Sequence, residues 1–246
     1  MAYVKTKGIV IKQTVTGDAD RAITVFAKNT GKVQVYAQGA RRGKSKLAAS
    51  TEFLCYSEYV LFKKGDKFTL YSCEAVENFY PIRENMEKLT FAAHMADIIG
   101  DMTRENQPFD VLLKLFLTAL HYLAKDNTDS LLITRAFEFR ALCQNGMTPY
   151  VYACVTCGNK TPDKIYFGFD KHGFLCQNCI GEAGRIREIS PGCVTALGHI
   201  AFAELNKLFL FGVSQSVKNE LNEIIPLYQA KCLEKNYSTL DYLNII

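Results

Sequence analysis

The sequence predicts a mixed β and α protein, in which a five-stranded OB-fold barrel precedes an α-helical domain with a four-cysteine zinc-ribbon insertion. Short β-rich runs broken by glycine fill the first 80 residues, and apolar stripes with a period of about 3.6 follow. A glycine- and cysteine-rich segment without a helical stripe interrupts them at about 150–187. We therefore expect a barrel domain over residues 1–80 and a helical domain over residues 81–246.

The barrel prediction depends on five segments rich in β-branched and aromatic residues. Asn29-Thr30-Gly31 predicts a tight turn between the second and third, and Lys64-Gly65-Asp66 predicts one between the fourth and fifth. The OB-fold is the barrel of this strand count most used for nucleic acid, but an SH3-like barrel fits equally, so the pattern leaves the topology open. The predicted strands are Lys7–Thr14, Ala22–Lys28, Val33–Gln38, Phe53–Phe62 and Phe68–Glu77.

The helical prediction depends on apolar side chains that recur at helical spacing after residue 80. The stripe from Phe109 to Leu123 predicts one helix, and a stripe beginning near Asp129 predicts another, closed by Gly146. Three further helices are predicted over Glu84–Arg104, Val194–Phe211 and Gln215–Glu234.

The composition indicates a globular protein of the cytoplasm. Of the 246 residues 48% are hydrophobic and 22% charged, which excludes a disordered tail. No apolar run approaches the roughly 18 residues of a membrane span, and the alternating start differs from a signal peptide. We expect no membrane partner. Nine cysteines in a reducing compartment indicate metal binding or core packing, not disulfides.

Two CxxC pairs predict a metal site. Cys154 and Cys157 form one pair, Cys176 and Cys179 the other, and the 18 residues between the pairs are inside the spacing of a four-cysteine zinc site. Two thiolates three positions apart on a tight turn can face one ion. Four thiolates fill a tetrahedron and leave no place for a substrate water, so we expect one structural Zn²⁺. A hairpin over residues 164–174 joins the pairs in this interpretation.

Two other readings of the CxxC pairs fit less well. A thioredoxin-like redox pair needs a βαβ context, and iron–sulfur clusters usually have a different cysteine spacing. The remaining cysteines occupy apolar patterns and are predicted to be buried core thiols. They are Cys55, Cys73, Cys143, Cys193 and Cys232.

The positive charge is concentrated in the first domain. Residues 1–80 hold thirteen Lys or Arg against seven Asp or Glu, a net +6, whereas the remainder holds sixteen against eighteen, a net −2. This asymmetry predicts an anionic partner, and nucleic acid leads the candidates. Interleaved aromatic residues are candidates for stacking on bases, although we expect most of them to fill the barrel. They are Tyr36, Phe53, Tyr56, Phe62 and Tyr71.

A cationic loop, Gly39–Lys46, follows the third predicted strand and is called the basic loop below. It is not a Walker motif, because three residues instead of four separate Gly39 from Gly43 and no βαβ pattern surrounds them. A flexible cationic loop on a small barrel suits phosphate contact, although charge runs are commonly solvated loops. The predicted DNA-binding residues are Arg41, Arg42, Lys44 and Lys46 in the loop, with Lys7, Lys12, Arg21 and Lys32 on the strands and turns.

No catalytic set is evident, so the chain is predicted not to be an enzyme. Its four histidines are scattered, and Asp18 and Asp20 have the default role of turn residues. Asp97, Asp101 and Glu105 recur every four residues; a solvated helix face explains them better than a metal-dependent nuclease site. A zinc-ribbon module that binds RNA or acts in transcription is the alternative to a DNA-binding protein.

An ordered set of short motifs adds a resemblance to a family. It runs from Lys7-Gly8-Ile9-Val10-Ile11 through Asp18, Asp20, Thr24-Val25-Phe26 and Gly31-Lys32-Val33 to Ala37-Gln38-Gly39-Ala40-Arg41 with Lys44-Ser45. Together these closely resemble the N-terminal signature of the RecO family of DNA repair proteins. The helical region with four cysteines is similar to zinc-containing members, so the resemblance covers essentially the whole chain. Asp18 stands where the family often has glutamate, and the usual proline before Phe53 is absent.

The resemblance implies an OB-fold, a zinc-bearing helical domain and non-catalytic recombination mediation in DNA repair. It implies binding of single- and double-stranded DNA, strand annealing, and action with RecR to load RecA onto coated single-stranded DNA. It also implies contact with the C-terminal tail of the single-stranded-DNA-binding protein, for which no short motif marks a pocket. The DNA role carries over to the basic loop through Arg41, Arg42, Lys44 and Lys46.

Overall fold

The computed structural model describes residues 2–65, 67–181 and 183–244, which form two compact units. The first unit contains the chain up to Asn127 and the segment from Thr239 onward. The second unit is Thr128–Ser238. The first three helices therefore belong to the same compact unit as the strands of the barrel.

Five strands of the first unit close into a barrel in the order β1-β2-β3-β5-β4. β3 and β5 run parallel, with Val35 opposite Phe68 and Tyr36 opposite Thr69, while the other neighbours are antiparallel. This order is that of the OB-fold, so the SH3-like alternative is wrong. The strands are β1 Ala2–Thr16, β2 Asp20–Ala27, β3 Gly31–Ala37, β4 Tyr56–Lys64 and β5 Lys67–Glu77.

Alternating side chains fill the barrel. In β3, Val33, Val35 and Ala37 are buried while Gln34 and Tyr36 face outward, as the two-residue period of a strand requires. The core is largely aliphatic. Its aromatic members are Tyr59 and Phe68.

The fourth strand begins three residues later than predicted, at Tyr56. Leu54 has a φ of 66°, a left-handed conformation that interrupts the extended chain. Its N–H donates to the carbonyl of Val10 at 2.9 Å, and the guanidinium of Arg83 donates to the carbonyl of Phe53. These contacts hold a turn where the sequence pattern predicts strand.

The predicted turn Asn29-Thr30-Gly31 is present. Lys64 ends β4 and Gly65 follows in a turn, as predicted, while Asp66 lies outside the described residues. Gly31 has a φ of +75°, and a Cβ at this position would lie 1.7 Å from the carbonyl oxygen of Gln107. Glycine is therefore required both by the turn and by the close approach of the loop that contains Gln107. The N–H of Asn29 donates to Oδ1 of Asp110 at 2.8 Å, which ties the same turn to the start of the helix that begins at Asp110.

The helices of the first unit are α1 Tyr80–Arg83, α2 Met86–Met102 and α3 Asp110–Ala124. The predicted helix Glu84–Arg104 is confirmed in its main part, but its start differs because Asn85 caps α2 by accepting the N–H of Lys88 at 3.0 Å. The 3₁₀ segment Thr239–Asn244 returns to this unit. There the hydroxyl of Thr239 donates to Asp97 at 2.7 Å.

The second unit combines three helices with a small sheet of order β7-β6-β8. Helix α5 ends at Phe202, earlier than predicted, because the guanidinium of Arg140 binds the carbonyls of Ile200, Ala201 and Ala203. No helix in the described ranges is long and apolar enough to cross a membrane. The elements are α4 Ser130–Gln144, β6 Ile165–Gly168, β7 Gly173–Cys176, β8 Ile186–Ile189, α5 Pro191–Phe202 and α6 Gln215–Leu233.

Candidate metal centre and nucleic-acid interface

The four predicted metal ligands converge in the second unit. The Sγ atoms of Cys154, Cys157, Cys176 and Cys179 all lie within 4.8 Å of one another, and those of Cys157 and Cys176 are 3.6 Å apart. A tetrahedral zinc with bonds of about 2.3 Å places its sulfurs about 3.8 Å apart. The donors and their spacing therefore fit one tetrahedral ion.

Tight turns at the ends of the sheet position the four thiols. Gly158, with a φ of +74°, donates its N–H to the carbonyl of Cys154 at 2.9 Å and closes the first turn. Cys176 is the last residue of β7, and Cys179 follows on a 3₁₀ turn. Strands β6 and β7 form the predicted hairpin, and β8, which the pattern does not predict, adds a third strand.

The thiols of Cys154 and Cys179 differ in how readily they lose a proton. Although burial raises it, N–H donors of Cys157, Cys176 and Thr156 lower the pKa of Cys154 to about 6. Hydrogen bonds with the thiols of Cys176 and Cys157 raise the pKa of Cys179 to about 12. One thiolate forms readily, but a second beside it is disfavoured by like charge. A divalent cation removes that repulsion.

The other cysteines lie outside this cluster. Cys55 and Cys193 are buried, whereas Cys73, Cys143 and Cys232 are half-buried. Burial raises the pKa of each of these five thiols. They are protonated at neutral pH and act as apolar packing groups, which agrees with the prediction for the two that are fully buried.

The basic loop presents its four cations to solvent. Arg41, Arg42, Lys44 and Lys46 are all exposed, and none forms an ion pair within the described residues. Arg41 is held by its backbone, whose N–H donates to the carbonyl of Ala19 at 2.9 Å. The loop thus keeps its charges available while its chain is fixed.

Asp20 is the anchor of the basic loop, a role beyond the turn function that the sequence indicates. Its carboxylate accepts the N–H of Gly39 at 2.7 Å and the hydroxyl of Tyr36. The Gly39 N–H, then the Tyr36 hydroxyl and the charge of Arg42, lower the pKa of this carboxyl below its usual value. The available sequence signal is an aspartate that opens the strand β2.

Three of the other predicted DNA-binding cations have partners inside the protein. Lys7 forms an exposed ion pair with Glu58 at 2.5 Å. Arg21, whose side chain is 12% exposed, pairs with Glu52 at 2.8 Å and donates to the hydroxyl of Thr51. The Lys32 ammonium donates to the carbonyl of Gly100 at 2.5 Å, and Lys12 is exposed. These contacts separate Lys7, Arg21 and Lys32 from the exposed cations of the loop.

The expectation that most of the candidate rings fill the barrel is wrong. Tyr36 and Tyr71 are exposed, and Phe53, Tyr56 and Phe62 are half-buried. Tyr36, Tyr56, Phe62 and Tyr71 lie on strands, and each follows a buried residue, so their rings are on the outer face of the barrel.

No second constellation of metal-binding groups occurs in the described parts of the chain. Asp97, Asp101 and Glu105 are exposed and do not gather into one site. Asp97 and Asp101 lie on α2, in agreement with a solvated helix face, whereas Glu105 lies beyond the end of α2 and forms an isolated β-bridge with Lys32. The histidines remain scattered: His94 is buried in α2, His172 contacts the hydroxyl of Tyr228, and His199 lies near the carbonyl of Leu208.

A barrel with OB-fold strand order, followed by helices and a four-cysteine cluster, defines a class of protein suited to nucleic-acid binding with a metal-supported module. Family models identify the class more closely. "Recombination protein O N terminal" matches residues 1–79, and "Recombination protein O C terminal" matches residues 83–240.

Individual relatives agree over the full length. A protein of Acetivibrio thermocellus named DNA repair protein RecO is 48% identical over 246 residues, covering 100% of this chain and 98% of its own. Proteins of the same name from Desulforamulus reducens and Bacillus pumilus are 30% and 28% identical, over 99% and 92% of this chain and 95% and 87% of theirs. The chain belongs to the RecO family of DNA repair proteins.

Proposed function

We propose that this chain is a non-catalytic recombination mediator that holds DNA backbones through the basic loop. The observation that supports it best is the exposure of Arg41, Arg42, Lys44 and Lys46, none of which forms an ion pair within the described residues. Each phosphate that a cation neutralises releases counterions, so such a loop binds any sequence with a strong dependence on salt. Lys12, exposed on β1, extends the same contact surface.

The metal in this proposal is one structural Zn²⁺ held by Cys154, Cys157, Cys176 and Cys179. Zinc prefers a tetrahedron of thiolates, and the four sulfurs have the proximity that this geometry needs. When bound, the ion supplies no reactive water, because all four positions belong to the protein. The cysteines fix the two turns of the ribbon and hence the shape of the second unit.

The family suggests the finer activity. In this proposal the protein binds single- and double-stranded DNA, anneals complementary strands, and acts with RecR to load RecA onto coated single-stranded DNA. It contacts the C-terminal tail of the single-stranded-DNA-binding protein and works in the cytoplasm, at the nucleoid when active. A strand-annealing assay with and without the coating protein tests this part, and annealing no faster than the spontaneous rate contradicts it.

A salt titration of DNA affinity tests the role of the basic loop. The variant R41A/R42A/K44A/K46A should lose affinity for all sequences. Its slope of log affinity against log salt should become shallower by about 3, at about 0.7 for each contact with a single strand. Fluorescence anisotropy with a labelled oligonucleotide measures both quantities.

A matched control removes charge elsewhere. Lys160 and Lys171 are exposed in the second unit, so K160A/K171A removes two charges as R41A/R42A does. Only R41A/R42A should weaken binding. Equal losses for the two double variants would show a response to net charge alone and contradict a role for the basic loop in binding.

A comparison with RNA tests the alternative function. A matched RNA oligonucleotide that binds more tightly than DNA would favour the RNA-binding alternative, since 2′-hydroxyl contacts distinguish the two.

A further inference from the structure

Three aromatic rings form a group on the outer face of the barrel, called here the ring cluster. Tyr3 is 60% exposed and Tyr71 is 66% exposed, although both are large and partly apolar. The centroid of Tyr3 lies 5.4 Å from that of Phe62 and 5.2 Å from that of Tyr71. Exposed rings usually occur singly, so two exposed rings in contact, with the half-buried Phe62 beside them, indicate a contact surface.

The strand register explains why the rings meet. Tyr3 on β1 lies directly opposite Phe62 on β4, which places both rings on the same face. Between β4 and β5 the register shifts, with Val60 opposite Ser72 and Leu61 opposite Leu70. Tyr71 is the extra residue of this bulge. A bulge redirects a side chain, and here it brings Tyr71 against Tyr3.

Lysines border the ring cluster on two sides. Lys5 follows Tyr3 by two residues on β1, and Lys64 follows Phe62 by two residues on β4, so each shares the face of its neighbouring ring. Both are exposed, and within the described residues neither has a carboxylate partner. Glu58, on the same strand as Phe62, is paired with Lys7.

The ring cluster and the basic loop are at opposite ends of the barrel's longest strand. The loop is bonded to Ala19, just beyond the end of β1, while Tyr3 stands near its beginning. The fifteen residues of β1 follow a path of about 45 Å at about 3.3 Å per residue. The rings and the loop cations are therefore separate groups along β1, and each can be tested by its own substitutions.

We propose that the ring cluster is a second nucleic-acid contact, which binds single strands by stacking bases on Tyr3 and Tyr71 while Lys5 and Lys64 contact the flanking phosphates. The proposal rests on the DNA binding proposed above and adds a site that recognises unpaired bases. Base stacking on aromatic side chains is insensitive to sequence, because every base has an aromatic face. Duplex DNA keeps its bases stacked inside and does not use this site.

Two features favour a single strand over a protein partner. The cluster is one small group of rings, whereas a stable protein interface covers about 800 Å² on each partner. Unpaired cations beside exposed rings also match the alternation of phosphate and base along a single strand. A protein partner on this face would be recognised by its loss in a variant that keeps its single-strand affinity.

The test compares three labelled probes: a thymidine oligonucleotide, an abasic strand of equal length, and a duplex. For Y3A/Y71A we expect thymidine-strand affinity to fall about 10- to 100-fold, with the salt slope unchanged. Affinity for the abasic strand and the duplex should stay at the wild-type value, and Y3F/Y71F should bind as wild type. Tyr80→Ala, which removes an exposed ring outside the cluster, is the matched control.

Each alternative outcome is distinct. Wild-type affinity of Y3A/Y71A for the thymidine strand overturns the inference, and so does an equal loss on the abasic strand. Loss of a protein partner with unchanged single-strand affinity assigns the face to that partner and also overturns it. Failure of the basic loop alone leaves the thymidine-to-abasic preference intact, so that result contradicts the proposed function and spares the ring cluster.

Discussion

The cysteine cluster of the second unit and the basic loop of the barrel arrange their polar groups in opposite ways. Four sulfurs converge within 4.8 Å of one another, and hydrogen bonds with the neighbouring thiols raise the pKa of Cys179 to about 12. The four cations of the loop are all exposed to solvent, and the Arg41 guanidinium also donates to the carbonyl of Asp18 at 3.4 Å. A converging set serves a small ion that touches every member at once. A dispersed set serves an extended polyanion, whose charges are spread along its length.

The difference affects stability. A cluster that needs its ion to relieve repulsion contributes to folding only when occupied, so losing the ion costs structure. Exposed cations contribute almost nothing to the fold, and their loss costs binding alone. Arg21 and Lys7 are intermediate cases, because each forms an ion pair with a glutamate of the protein and so contributes to the fold.

The largest expected effect is the loss of the metal. Cys176→Ser should leave the purified protein with far less than about one zinc per chain. The second unit should lose cooperative unfolding, since structural zinc sites bind with on the order of 10 kcal/mol in isolated peptides. Elemental analysis and thermal denaturation by circular dichroism measure both. Cys73→Ser, outside the cluster, should keep its zinc; full zinc content in Cys176→Ser would contradict the assignment.

Arg21→Ala should have the next largest effect, on stability. It removes the ion pair with Glu52 and the hydrogen bond to buried Thr51, so the free energy of unfolding should fall by roughly 1–3 kcal/mol. Urea denaturation measures this. Arg41→Ala, without such partners, should unfold as wild type and yet bind DNA more weakly. The reverse pattern would mean that Arg21 contacts DNA and Arg41 supports the fold.

Asp20 provides a smaller, pH-dependent effect. Its pKa is lowered in the folded protein, so the stability it contributes is present above the unfolded value of about 3.9 and is lost as the pH falls through the folded pKa. Acidification below about pH 4 should therefore release the basic loop. The protection factor of the Gly39 amide, which corrects for the intrinsic effect of pH on exchange, should fall there in wild type, while Asp20→Asn should show a low protection factor already at neutral pH. Identical exchange in the two proteins would exclude this anchor.

The smallest effect is expected at the exposed pair of Lys7 and Glu58. Both side chains are more than half exposed, so solvent and salt screen the attraction. Lys7→Ala should change the free energy of unfolding only slightly, and by less at high salt than at low salt. Its DNA affinity should stay close to the wild-type value. A loss comparable to that of Arg41→Ala would return Lys7 to the DNA-contacting group.

Local sequence predicts the cysteine cluster fully, because spacing on tight turns decides which sulfurs can meet. It also predicts five strands and most helices, since alternation and helical stripes are local. It does not predict which cations remain available. Arg21 meets a carboxylate 31 residues away, and Lys32 meets a carbonyl 68 residues away. The outward rings are missed for a related reason, since the bulge that turns Tyr71 outward depends on pairing with β4.

The return of Thr239–Asn244 to the first unit has a topological consequence. The second unit is inserted between two stretches of the first, so two covalent connections join them. A proteolytic cut within the second unit yields two fragments, and each fragment includes part of the first unit. A cut after Ser238 instead leaves the segment that begins at Thr239 held to the first unit by non-covalent contacts alone, among them the hydrogen bond from the Thr239 hydroxyl to Asp97.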